Sequence, residues 1–174
     1  MEKNNNSRIK IAVIGPESSG KSKLCEELSR HFLSDWVPEF ARTYLEKNPI
    51  YQQKDLRYFL KEQIKSEQQF QSSLLFCDTD PVSIKVWSLY KFDSADPYFH
   101  KKITTHPYNH RLLLSPNLPY QSDPLRENES LEERREIFDL FKEQLEYYQL
   151  HYSVIDGLEE KRIKKAVAVV SNLI

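Results

Sequence analysis

Short aliphatic runs alternate along the chain with longer stretches in which apolar residues recur every three or four positions. Ile9-Lys10-Ile11-Ala12-Val13-Ile14 is short and β-branched, as a buried parallel strand should be. Leu24, Leu28 and Phe32 then recur every fourth residue, the stripe of an amphipathic helix. A second strand is expected around Trp36–Pro38, and Glu39 to Leu45 reads as a short helix stopped before Pro49. Asp55 is expected to cap a long helix with Leu56, Leu60 and Ile64 on one face and a solvated, glutamine-rich face running to Gln71. Leu74-Leu75-Phe76-Cys77 predicts a third strand ending at Asp78-Thr79-Asp80, with Pro81 opening a helix through Tyr90. Repeated proline breaks between Phe92 and Tyr108 leave that stretch unassigned. Arg111 to Leu114 is a fourth strand, and Ser130-Leu131-Glu132-Glu133 is a capping box opening a helix with Phe138, Phe141, Leu145 and Tyr148 inward. Tyr152–Ile155 is a fifth strand, Asp156-Gly157 a turn, and Ile163, Val167, Val170 and Ile174 the inner face of a last helix. Strands alternating with helices predict an α/β fold with a doubly wound, five-stranded parallel sheet, in which ligands bind at the carboxyl ends of the strands.

Composition narrows what such a fold does. The 174 residues are enough for one sizeable core, so the expectation is a flexible polar stretch over 1–8 and a single domain over 9–174. Lys plus Arg is 25 against 26 Asp plus Glu, which removes the basic excess of a dedicated nucleic-acid binder. The two cysteines, Cys25 and Cys77, are too few for a disulfide framework or a zinc site and suit a reducing cytoplasm. The longest aliphatic runs are far too short to span a bilayer or form a signal segment, so no membrane partner is expected.

Glycine is scarce, and its placement is informative. Of 3 glycines, Gly15 and Gly20 bound Gly15-Pro16-Glu17-Ser18-Ser19-Gly20-Lys21-Ser22, a G-x-x-x-x-G-K-S phosphate loop set between a strand and a helix. Such a loop turns successive N–H groups toward a phosphate, and the following helix start adds partial positive charge. Lys21 is placed at the β- and γ-phosphates and Ser22 on Mg²⁺, while Glu17, Ser18, Ser19 and Lys23 complete the cradle. This predicts a P-loop NTPase fold of the nucleoside and nucleotide kinase type, with ATP as co-substrate.

Other residues separate the P-loop chemistries. The third strand ends in Asp78-Thr79-Asp80 without the adjacent Glu that orients water in hydrolysing motors. No Asn-Lys-x-Asp tetrapeptide reads guanine, and too few glycines remain for a transporter signature helix. What is left is a small-molecule kinase, which positions two substrates and stabilises the transferring phosphoryl. A basic lid is expected around 120–136, with Arg126 and Arg134 as catalytic candidates and Arg135 beside them; a solvated helix terminus is the other reading of Arg134 and Arg135.

Gly15 to Ser22, Val37-Pro38-Glu39-Phe40-Ala41-Arg42, Asp78-Thr79-Asp80 and Asp123-Pro124-Leu125-Arg126 together resemble the kinase module of NadR-type bifunctional NAD-salvage proteins, members of the AAA-like P-loop ATPases. Pro124 stands where that family often has Gly. With few residues ahead of the first strand, the resemblance implies a stand-alone ribosylnicotinamide kinase. It would use Mg²⁺ and ATP to phosphorylate the 5′-hydroxyl of nicotinamide riboside in the cytoplasm.

The residues themselves assign compatible roles. Glu39 follows the second strand, where it can take or orient the acceptor hydroxyl proton. Arg42, three residues on, either contacts the acceptor or pairs with Glu39 on the helix surface. Asp78 is the Mg²⁺ partner of Ser22, and Asp80 is expected at the ribose hydroxyls. Trp36, Tyr44, Trp87 and Tyr90 are candidate platforms for a cationic ring. A kinase for another nucleoside or small acceptor, or a nucleotide-sensing regulatory ATPase, remain alternatives on these residues.

Overall fold

A computed structural model describes residues 8–118 and 130–174. Its elements run β1 (Ile9–Ile14), α1 (Lys21–Phe32), β2 (Asp35–Val37), α2 (Phe40–Leu45), α3 (Gln53–Glu67), β3 (Leu74–Asp78), α4 (Pro81–Phe92), α5 (Pro97–Thr105), β4 (His110–Leu114), α6 (Leu131–Tyr147), β5 (Tyr152–Ile155) and α7 (Glu159–Ser171). The strands form one parallel five-stranded sheet in the order β2-β3-β1-β4-β5. β1 lies at its centre, with β3 and β4 on either side. That is the reversal point of a doubly wound sheet, where a crevice opens beyond the strand ends.

The apolar runs are explained by helices on both faces. Ala12 and Ile14 of β1 pack with Leu75 and Cys77 of β3 and with Val86, Ile137 and Phe141 of α4 and α6. Ile11 and Val13 point the other way, onto Leu24 and Leu28 of α1 and Ala166 and Val170 of α7. With both faces covered, alternation disappears and the strands read as continuous apolar runs. Leu28 is fully buried, and Leu28→Ala would cost about 2–5 kcal/mol through lost transfer energy and a cavity. A third cluster around Leu56, Phe59, Leu60 and Phe99 joins α3 to α4 and α5. Among the described residues no helix is long and apolar enough to cross a membrane.

Several local expectations need correction. The second strand covers Asp35–Val37 rather than Trp36–Pro38. α3 is capped by Gln52, and Asp55 sits at its third position, where its carboxylate accepts from the Gln52 N–H at 2.8 Å. Its glutamine-bearing side is not simply solvated, because Gln63 is 2% exposed. The unassigned stretch contains α5, since Pro97 occupies a first helical position and Asp96 accepts from the Tyr98 N–H at 2.8 Å. In α6 the buried residues are Arg134, Ile137, Phe141 and Leu145, leaving Phe138 and Tyr148 at the margin. In α7 they are Arg162, Ala166 and Val170, while Ile174 is exposed.

Candidate active site

The loop after β1 owes its shape to Gly15 and Gly20. At Gly15, with φ 143°, an added Cβ would lie 2.7 Å from the Leu114 carbonyl oxygen of β4, so any side chain there would push the loop off the sheet. Gly20 has φ 83° and sits at the N-cap of α1. Among the described residues no side chain caps α1, and its first turn holds no acid. Its leading N–H groups are therefore offered to an anion rather than to the protein.

Side chains complete the cradle. The Ser19 hydroxyl, fully buried, donates to the Pro16 carbonyl at 2.7 Å and fixes the loop from inside. Lys21 Nζ folds back on the loop, donating to the Gly15 and Pro16 carbonyls at 3.0 Å each. Glu17, Ser18, Ser22 and Lys23 line the adjoining cavity, of about 500 Å³.

Facing Lys21 and Ser22 are the ends of β2 and β3. Ser22 Oγ donates to Asp78 Oδ2 at 2.5 Å. Asp78 is 1% exposed, and its Oδ1 has no hydrogen-bond partner among the described residues. Burial pushes the Asp78 carboxyl above the ordinary range, against the pull of Lys21, the Ser22 hydroxyl and Arg42. An orphaned buried oxygen beside a serine hydroxyl fits a hard cation, which takes one or two protein oxygens and completes its shell with water and phosphate. Among the described residues no cluster of three or more His, Cys, Asp or Glu forms a dedicated metal cage.

Glu39 lines the same cavity from the N-cap position of α2, and the Thr79 hydroxyl reaches its Oε1 at 3.4 Å. Enclosure by protein raises its carboxyl above the usual value and neighbouring Asp78 adds to that, with Lys21 and Arg42 opposing. Thr79 holds φ 91°, a strained conformation for a β-branched residue, fixed by its N–H donating to the Val13 carbonyl at 3.2 Å. The wall beyond Glu39 is apolar and aromatic: Leu45, Leu56, Phe59, Ile84, and Trp87 with Tyr51. Trp87 Nε1 donates to the Tyr51 hydroxyl at 2.5 Å, locking the indole plane.

The remaining sequence candidates divide between the cavity wall and the interior. Asp80 is fully buried: Oδ1 accepts from the Ser83 N–H at 2.9 Å, capping α4, and Oδ2 accepts from Arg111 Nε at 2.7 Å. With both oxygens occupied behind the cavity wall, it is not placed to hold ribose hydroxyls. Arg42 lines the cavity and pairs with Glu46 at 3.7 Å, one turn further along α2. Arg134 is 4% exposed and donates from Nη1 to the Leu118 carbonyl at 2.9 Å and from Nε to that of Ser130 at 3.4 Å. It therefore joins the chain on either side of 119–129 instead of standing as a solvated arginine. Arg126 lies outside the described residues. Of the candidate platforms only Trp87 lines the cavity; Trp36 packs beside α1, Tyr44 joins the α3 cluster, and Tyr90 stacks on Trp87 at 6.3 Å between ring centroids.

On the cavity wall sequence reasoning missed Arg162 and Tyr51. Arg162 is buried at the cavity edge, donating from Nε to the Gly157 carbonyl at 3.1 Å, from Nη2 to the Ser115 carbonyl at 3.1 Å, and from Nη1 to the Ser19 carbonyl. It thereby ties α7 and the end of β4 to the phosphate loop. Tyr51, before α3, was hidden in a polar stretch.

Comparison with known proteins agrees with this fold. A family model described as an AAA domain matches residues 10–162. The trifunctional NAD biosynthesis/regulator protein NadR of Escherichia coli (strain K12) is 24% identical over 172 residues, covering 94% of this chain and 42% of that protein. The chain thus spans less than half the length of this curated relative. Structures of NadR with NR and with NAD and AMP-PNP superpose at TM-scores of 0.80 and 0.81, each at 22% identity over 95% of this chain and 49% of the other. Thymidylate kinase from Ehrlichia chaffeensis superposes at a TM-score of 0.63 and 13% identity, over 94% of this chain and 98% of that one. At these identities the structural likenesses establish the P-loop kinase-type fold.

Proposed function

The chain belongs to the AAA domain family, and from that premise we propose that it is an ATP-dependent phosphotransferase acting on the 5′-hydroxyl of nicotinamide riboside, giving nicotinamide mononucleotide and ADP. One observation carries the reading. A phosphate loop and a proton-accepting carboxylate, Glu39, line one cavity whose far wall is aromatic. A hydrolase needs no such acceptor wall. The NadR structure with NR and the E. coli NadR relative support the choice of acceptor.

In this reading the loop N–H groups, Lys21 and the start of α1 hold the ATP phosphates, and Lys21 leaves the Gly15 and Pro16 carbonyls to follow the developing charge. Ser22 and Asp78 would hold Mg²⁺, which would supply positive charge against the ATP phosphates. Glu39 orients the acceptor hydroxyl and takes its proton as the phosphoryl arrives; its raised pKa makes the carboxylate a stronger base than an ordinary glutamate. Trp87 and Tyr51 flank the nicotinamide ring, and Arg42 lies beside the acceptor. On sequence grounds Arg126 is assigned to the transferring phosphoryl. A cytoplasmic setting suits ATP chemistry and the two buried, unpaired cysteines.

The deciding measurement is ADP release from Mg·ATP against a panel of nucleosides. Nicotinamide riboside is expected to give the highest kcat/KM. A deoxynucleoside that outpaces it would reassign the acceptor, and ADP release unaffected by any nucleoside would indicate a regulatory ATPase.

A further inference from the structure

An N-cap residue ordinarily turns its own side chain back to satisfy the first orphan N–H groups of its helix. Glu39 occupies the N-cap of α2 and makes no such bond. The Phe40 N–H that opens α2 donates instead to Gln63 Oε1, at 2.8 Å, from the neighbouring α3. α2 is only six residues long and buries none of its side chains fully, so packing alone gives its start little hold. The other end of the same amide, Gln63 Nε2, donates to the Asp78 carbonyl at 3.3 Å. The peptide joining Asp78 to Thr79 is therefore held on both sides, its oxygen by Gln63 and its N–H by the Val13 carbonyl. It is this peptide that leads into Thr79, whose hydroxyl meets Glu39.

We propose that Gln63 is a positioning residue for phosphoryl transfer. It caps α2 in place of Glu39, leaving the Glu39 carboxylate to the cavity, and with its other end sets the distance from Glu39 to the Asp78 end of β3. At 2% exposure, a primary amide is costly to bury unless both of its ends are bonded, and these two bonds are what satisfy it. An apolar residue would pack α3 as well, but would bind neither element. Gln63 does not line the cavity, so it acts through Glu39 and Asp78 rather than by touching either substrate. The inference rests on the kinase reading above and adds to it the element that aligns the acceptor base with the phosphate side.

The test compares wild type, Gln63→Met and Leu60→Ala, the last a fully buried apolar control on the same helix. Gln63→Met keeps the shape and removes both hydrogen bonds. It is expected to lose about 10–100-fold in kcat for nucleoside phosphorylation, with both KM values within about threefold, because misplacement by an ångström costs rate rather than ground-state binding. Leu60→Ala leaves a cavity and is at least as destabilised, yet should keep kcat within about threefold of wild type below its melting temperature. Unchanged kcat in Gln63→Met, or an equal loss in both variants, would overturn the role. Should Gln63→Met fail to fold, Gln63→Glu carries the comparison: it retains an acceptor for the Phe40 N–H, loses the donor to Asp78, and must still lower kcat. A wild type that phosphorylates no nucleoside defeats the kinase reading instead. Paramagnetic relaxation by Mn²⁺·ADP then decides the positioning role alone. The Phe40 amide should relax less in Gln63→Met than in wild type while the Leu24 amide of α1 is unchanged, and identical relaxation at Phe40 would dispose of the idea.

Discussion

Glu67 closes α3 beside the first residues of β1, and Glu39 opens α2 beside the last residues of β2, so the two glutamates sit at opposite ends of one sheet. Around Glu67, Lys10 Nζ donates at 3.1 Å, His106 Nε2 lies at 2.8 Å from the same oxygen, and the Tyr108 hydroxyl donates to the other. Burial alone would raise this carboxyl, but the His106 hydrogen bond, the Lys10 charge and the Tyr108 hydroxyl together hold it below the ordinary value. At the other end the Thr79 hydroxyl makes a long contact with Glu39, and neighbouring Asp78 keeps one buried oxygen without a partner among the described residues. There burial prevails and both carboxyls rise. The same side chain meets two environments: at one end an acid is saturated by partners, and at the other burial outweighs them.

The sharpest break of this comparison is functional. Glu39→Gln keeps the shape and removes the proton acceptor, so nucleoside-dependent ADP release should fall by about 10²–10⁴ while ATP affinity measured by calorimetry barely changes. Loss of ATP binding in step with turnover would move Glu39 to the nucleotide side. Next in size is Lys21→Ala, expected to lower kcat by about 10²–10³, since no other group in the loop can follow the phosphoryl charge. Near-wild-type kcat in that variant would remove the phosphate loop from the mechanism.

How much of this was legible in the sequence follows from where each partner lies. Gly15 to Ser22 carries its chemistry in one contiguous stretch between a strand and a helix, so both motif and fold could be read directly. Asp78 was equally accessible because it ends an apolar run. Asp80, two residues on, looked equivalent, but the chain turns into α4 at that point and its carboxylate becomes a cap and an Arg111 partner. Gln63 and Arg162 gave no periodic signal, since each is a polar residue on a buried helix face and takes its meaning from neighbours far away in sequence. Arg162 also displaced the inner face of α7 by one residue from the apolar stripe, and Pro97 disguised a helix start as a break.

The third expected effect concerns stability and belongs to the other end of the sheet. Glu67→Gln should cost about 3 kcal/mol, because it removes one partner of a buried charged network and leaves Lys10, 15% exposed, without its counter-charge. For a chain of this size that is a fall of about 6–12 °C in Tm by calorimetry at neutral pH. Glu67 is lowered in the folded state, so its contribution is fully present above the unfolded value and is lost as pH falls through the folded one. The gap between wild type and variant should therefore narrow in acid. A constant gap would assign the loss to packing instead of charge.

The smallest effect has the opposite sign. Glu39 is raised in the folded state, so between the ordinary glutamate value and its own the folded protein holds more proton than the unfolded chain. Stability falls as pH rises through that window, and above it the ionised carboxylate is a net cost to the fold. Glu39→Gln removes that cost. It should melt higher than wild type at neutral pH, by on the order of 1 kcal/mol, the usual scale on which active-site groups trade stability for function. As pH drops below the ordinary glutamate range the advantage should vanish, because wild type then holds a neutral carboxylic acid in the same place. Thermal melts of the nucleotide-free protein across pH read this directly. Were Glu39→Gln to melt lower than wild type at neutral pH, Glu39 would be a partnered structural acid like Glu67, and the contrast between the two ends of the sheet would disappear.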